Sequence, residues 1–132
     1  MMKQQDMDRF LESIGGLIEM RWQEPHIITS SAYMDIGEGW YPLVKKLIED
    51  LLAAGWDKEI CQIKEKFGGL RFYVRKSSDE INMLIRDAER ASYTICERTG
   101  KPGELRRDIG WWQTLCEAEY IKTKGIQLPG YE

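Results

Sequence analysis

The chain has 132 residues, 42% of them hydrophobic, with five Trp, six Tyr and three Phe. That length fits one compact domain whose core can stand without disulfides or a metal. The formal net charge is −3, which does not support DNA binding through a generally basic surface, so any anion site must be a local concentration of charge.

In chain order, Met7, Phe10, Leu11, Ile14, Leu17 and Ile18 recur at three and four, which predicts a first helix from about Gln4 to Gln23, within an N-terminal unit 1–24. Gly15-Gly16 interrupts it with a kink or close packing, and Pro25 ends it. The stretch HIITSSAYMDIGEG has no helical period and predicts a short strand at Ile27–Thr29, then a loop. Trp40, Leu43, Val44, Leu47, Ile48, Leu51 and Leu52 form one stripe, the clearest helix, with Pro42 in its first turn and Gly55 at its C-terminal cap.

QIKEKFGGLRFYVRK, residues 62–76, reads as a β-hairpin with strands of about Glu59–Lys66 and Leu70–Arg75. With Gly68-Gly69 as a two-residue turn, Phe67 pairs with Leu70 and Lys66 faces Arg71. Like charges so placed destabilise a hairpin unless an anion or an acid neutralises them. Cys61, Ile63, Phe67, Leu70, Phe72 and Val74 share one face, with Glu65 intruding on it. Gln62, Lys64, Lys66, Arg71, Tyr73 and Arg75 share the other.

SSDE opens a third helix, capped by Ser77 with Glu80 completing a capping box, and ending near Arg98. The remainder predicts a turn, a short hairpin and a helix from about Thr114 to Thr123. The last eight residues, 125–132, read as a tail. Cys61, Cys96 and Cys116 are an odd number with no secretory framework. The opening MMKQQDMDRF has no apolar signal region, and no run approaches the ~20 apolar residues of a membrane span. The expectation is a soluble cytoplasmic protein with reduced thiols. The predicted fold class is α+β: a small antiparallel sheet, centred on the hairpin and packed by amphipathic helices, with 37–98 as its helix-hairpin-helix core.

GEGWYPLV, QIKEKFGGLRFYV, AERASYTICERTGKPGELR and GWWQTLCEAEY occur in that order. Together they resemble a family of small uncharacterised proteins encoded by bacteriophages and prophages, over about Gly37 to Tyr120. The resemblance implies a phage origin and the cytoplasm of an infected bacterium, not a reaction. Relatives carry further ligands that, with Cys96 and Cys116, would make a four-ligand zinc knuckle. The matching positions here are Thr99 and Glu119, which supply a hydroxyl and a weak oxygen ligand. Structural zinc takes four good N or S ligands, so the expectation is no metal, and a relic knuckle over 96–120 packed around the two thiols with help from Trp111 or Trp112.

Lys64, Lys66, Arg71 and Arg75 around Tyr73 make the principal candidate site. Cations bind phosphate and an aromatic ring stacks on a base, although a solvated face balanced by acids of the third helix fits as well. Glu65 is a ligand acceptor or a buried structural carboxylate. Arg106, with Lys101 and Arg107, is either an exposed turn or a second wall for the same anion, contributed by a neighbouring subunit. DIGEGW reads as a helix-start turn or a ligand loop, with Asp35 and Glu38 opposing an anion. His26 is the only histidine, and no Ser-His-Asp order, HExxH or P-loop is present. The functional expectation is a non-catalytic protein without cofactor, a homo-oligomer that sequesters a small anionic ligand, a nucleotide immune signal. The alternative is a protein–protein inhibitor of a host defence or transcription component. Membrane and nucleic-acid partners are not expected.

Overall fold

The computed structural model describes residues 1–126. Its elements are α1 (Gln4–Ser13), β1 (Leu17–Arg21), β2 (Glu24–Ile28), α2 (Tyr41–Ala53), β3 (Ile60–Lys66), β4 (Gly69–Val74), α3 (Asp79–Ser92), β5 (Glu104–Arg106), β6 (Gln113–Leu115) and α4 (Glu117–Ile126). The class is α+β: three antiparallel two-stranded sheets, β1-β2, β3-β4 and β5-β6, packed with four helices. Residues 127–132, most of the predicted tail, lie outside the described residues; Gly125 and Ile126 close α4.

The first helix is shorter than its periodicity predicts. Gly15 and Gly16 both take φ +79°, a left-handed backbone that stops a helix outright. The chain then turns back as the β1-β2 hairpin, with Leu17 opposite Ile28 and Met20 opposite Pro25. Pro25 therefore sits in an outer strand, where a missing N–H is tolerated.

The main core joins Met7 and Leu11 of α1, Leu17, Trp40, the α2 stripe of Val44, Leu47, Ile48 and Leu51, and Ile63, Leu70 and Phe72 of the second hairpin. Ile81, Ile85 and Ala88 of α3 close it. Helix α3 starts one residue later than predicted. Ser78, not Ser77, is the N-cap and accepts the Ile81 N–H at 3.2 Å. It ends at Ser92 rather than Arg98.

Both edges of the second hairpin are covered. On the β3 side, Asp35 N–H donates to Ile63 O and Glu65 N–H to Asp35 O, each at 3.0 Å. On the β4 side, Leu70 N–H donates to Ser92 Oγ at 2.9 Å and Phe72 N–H to Glu89 Oε2 at 3.0 Å. Side chains of α3 thus replace a third strand.

The C-terminal unit has its own small core of Cys96, Ile109, Leu115 and Cys116, with Tyr120 against it. Ile109 fills the place expected of Trp111 or Trp112, both of which are exposed. Thr114 and Leu115 belong to β6, so α4 starts at Glu117 and not at Thr114. The DIGEGW loop is the clamp between the two cores. Gly39 N–H donates to Glu97 O at 2.8 Å and Trp40 Nε1 to Ile95 O at 2.8 Å. A Cβ on Gly37 or Gly39 would collide with the Cys96–Glu97 backbone, so these glycines serve close packing. Among the described residues no helix is long and apolar enough to cross a membrane.

Candidate functional site

The second hairpin turns one residue earlier than its double glycine suggests. Phe67 (φ +54°) and Gly68 (φ +84°) form the turn, so Lys66 pairs with Gly69, Glu65 with Leu70, Lys64 with Arg71 and Ile63 with Phe72. Moving the turn by one residue moves each cross-strand partner by two, and the two faces keep their membership. Three particulars change. Lys66 does not face Arg71; Lys64 does. Phe67 leaves the apolar face and is 62% exposed. A register irregularity between Ile60 and Gln62 puts Ile60 in the core and leaves Cys61 exposed.

The predicted site residues separate. Arg71 turns inward: its guanidinium donates to Leu70 O at 2.9 Å and to the Tyr93 hydroxyl at 3.2 Å. Burial works against its charge, but the Tyr93 bond and nearby Glu89 hold its pKa above the usual value. Tyr73 is exposed and lines a shallow opening with Arg86 and Glu89. Arg75 reaches Glu59 at 3.8 Å and lines a different cleft, beside β1. Glu65 caps the turn, its Oε2 accepting the Gly68 N–H at 2.7 Å. Arg106 is structural. It pairs with Glu104 at 3.6 Å and Glu117 at 3.4 Å, donates to Leu115 O at 3.2 Å and stacks on the Tyr120 ring at 4.3 Å.

What the fold does bring together lies at the hairpin tip. Thr114 Oγ1 donates to Gly68 O at 2.7 Å, docking the turn onto β6. Phe67 then meets Trp112 edge to face, with centroids 6.2 Å apart. Trp111 joins them, and the three rings line an open cleft of about 440 Å³. Arg107 lies 4.6 Å from the centre of the Trp112 ring, and Lys66 Nζ 5.5 Å from that of Phe67. Neither cation pairs with a carboxylate among the described residues, unlike Arg98 or Arg106.

The rings are held from behind. Gln113 Oε1 accepts from Trp111 Nε1 at 3.0 Å, while Gln113 Nε2 donates to Glu97 Oε1 at 3.1 Å. Glu97 also accepts the Gly37 N–H at 3.0 Å. Its burial nonetheless outweighs these bonds and raises its pKa. A buried carboxylate thus ties the DIGEGW loop to the residue that orients Trp111. Sequence reasoning missed this cluster because it gave Phe67 and a tryptophan to cores. The available signals were the WW pair, which one small core cannot absorb, and an aromatic residue beside the turn glycine.

Beside the two buried cysteines, Thr99 Oγ1 donates to Cys116 Sγ at 3.7 Å. Burial pushes the Cys116 thiol up, but the Glu119 N–H, the Thr99 hydroxyl and Cys96 together bring it below its usual pKa. The Glu119 carboxylate is engaged by Arg98 at 3.3 Å and Lys122 at 3.7 Å. Among the described residues, no group of three or more His, Cys, Asp or Glu is placed to hold a metal ion. No family model, curated protein or solved structure matches this chain.

Proposed function

We propose that this chain is a non-catalytic binding protein for a small anionic ligand carrying an aromatic base, a nucleotide, and that it binds at the tip cluster. One observation carries this reading: three exposed rings line a cleft, and two cations lie against those rings that pair with no carboxylate among the described residues. A base stacked on such rings gains ~1–3 kcal/mol, and each charge-assisted contact to phosphate adds ~1.5–3 kcal/mol. The expected basic face of Lys64, Arg71, Tyr73 and Arg75 gives way to Lys66, Phe67, Arg107, Trp111 and Trp112. The resemblance to phage and prophage proteins supplies the setting, in which capture of a nucleotide immune signal requires no catalytic group.

Tryptophan fluorescence tests this directly. Titration with cyclic dinucleotides, cyclic ADP-ribose isomers and NAD should quench the wild type with at least one of them. Trp112→Ala or Arg107→Ala should weaken that ligand by about tenfold or more. An unquenched wild type across the panel sinks the nucleotide reading. The aromatic lining favours one other reading, a protein–protein inhibitor of a host defence or transcription component, since Trp and Arg dominate binding hot spots.

A further inference from the structure

We infer that Cys96 and Cys116 form an oxidation site: Cys116 takes up oxygen from a hydroperoxide, and Cys96 converts the product to an intramolecular disulfide. The fold brings the two thiols together from separate segments. Glu97 N–H donates to Thr114 O at 3.0 Å and Arg98 to Gln113 Oε1 at 3.3 Å, so residues 96–98 run beside residues 113–116. Gly103 keeps that approach close; a Cβ there would meet Cys96 N at 2.9 Å and Leu115 C at 3.1 Å. Both cysteines are free and share one small core with Ile109 and Leu115. The Cys96 thiol hydrogen-bonds to Cys116 Sγ. Thiols in such contact need side-chain rotation, not a change of fold, to reach bonding distance.

The two thiols are not equivalent. Cys116 retains 6% exposure and Cys96 none, so a small oxidant meets Cys116 first. Cys116 also stands immediately before α4, and its sulfur collects donors: the Glu119 N–H in the first turn, the Thr99 hydroxyl at 3.7 Å and the Cys96 thiol. Donors of that kind favour the thiolate, which is the nucleophile, whereas a packing cysteine among apolar groups alone is inert. The thiolate attacks one oxygen of the peroxide. An S–O bond forms, the O–O bond breaks, and the released hydroxide takes the proton that Cys116 gave up and leaves as water. Cys116 is then a sulfenic acid. The Cys96 sulfur attacks the Cys116 sulfur: the S–S bond forms, the S–O bond breaks, and water leaves with the Cys96 proton. The cysteine pair is oxidised by two electrons, and the peroxide is reduced to water. The new bond closes a loop that contains Trp111, Trp112 and Gln113.

Hydrogen peroxide is the probe, applied to a Cys61→Ser parent that lacks the exposed thiol. The native protein is treated, unfolded and labelled with a maleimide. Mass spectrometry should then find neither remaining cysteine labelled, with the chain monomeric on non-reducing gels and both thiols restored by dithiothreitol. Adding Cys96→Ser should stop the reaction at the sulfenic acid, which dimedone traps on Cys116. Thr99→Val keeps both thiols and the shape of the side chain but removes one donor, and it should slow thiol loss by about threefold or more. That arm does not depend on a serine being tolerated in the core. A native protein that keeps both thiols under conditions that oxidise its unfolded chain overturns the proposal. So does dimedone on Cys96 in place of Cys116, oxygen gained at Cys116 while Cys96 stays free, or a Thr99→Val protein that oxidises as fast as its parent.

Discussion

Glu65 holds the turn beside it: its Oε2 accepts the N–H of Gly68, three residues on, at 2.7 Å. That bond accounts for a carboxylate on the apolar face of a hairpin. Gly68 is buried under Leu105 and Gln113, so its N–H has no water to turn to. Glu65→Ala should therefore cost ~1–3 kcal/mol of stability, and Glu65→Gln, which keeps an acceptor, should cost less. Equal losses in denaturant melts would show that the bond does not matter.

The two faces of β4 give a sharper contrast. Phe72 is buried against Trp56, with centroids 5.8 Å apart, whereas Tyr73 is exposed. Phe72→Ala should destabilise by ~3–5 kcal/mol, and Tyr73→Ala by only ~0.5 kcal/mol. Urea unfolding of both variants reads the difference.

For Arg71, a phosphate-binding role and a structural role predict opposite effects on the ligand-free protein. Its bonds to Leu70 O and the Tyr93 hydroxyl outweigh the nearby Lys64 charge. Arg71→Ala should lower stability by ~0.5–1.5 kcal/mol and leave quenching at the tip cluster unchanged. A stabilised variant would restore the like-charge reading of this face.

Glu97 predicts a pH dependence. Its pKa in the folded protein is raised above the ordinary 4.5 by burial, so the native state binds its proton more tightly than the unfolded chain does. Its contribution is then most favourable below pH 4.5 and is lost as pH rises through the folded value. Melting temperatures of wild type and Glu97→Gln, compared from pH 4.5 upward, should show the variant losing less with rising pH. Parallel curves would place the effect elsewhere.

The buried pair Cys96 and Cys116 predicts a gain. Thr99 already reaches Cys116, so the double change Thr99→Cys with Glu119→Cys should create a four-thiol set that binds about one zinc per chain. Wild-type protein should carry no stoichiometric zinc. Elemental analysis of both decides this.

Long, regular signals in the sequence carried through to the structure: the α2 stripe, the alternation of the second hairpin and the apolar spacing of α3 each mark a buried face. The first helix was over-read because the apolar positions continue in period past Gly15-Gly16, while two left-handed residues end the helix whatever follows. The hairpin register was legible only in its faces. Phe67-Gly68 and Gly68-Gly69 are both plausible turns locally, and the choice is made by distant groups: Thr114 bonding Gly68, and Tyr93 filling the space above Gly69. The candidate site depended on that choice. With Phe67 in the turn, a ring assigned to the core becomes one wall of the tip cleft.

The covered edges of the second hairpin bear on how the chain behaves when it is crowded. Strand borders with unpaired amides recruit other chains into growing sheets. Here Asp35 occupies one border, and Ser92 and Glu89 occupy the other. The guard on the β4 side consists of two side chains near the end of α3. Fraying of that last helical turn would uncover Leu70 and Phe72, adjacent to a run of alternating apolar residues. The C-terminal turn of α3 is thus a safeguard against self-templated aggregation, and a change that loosens it would show as turbidity on storage.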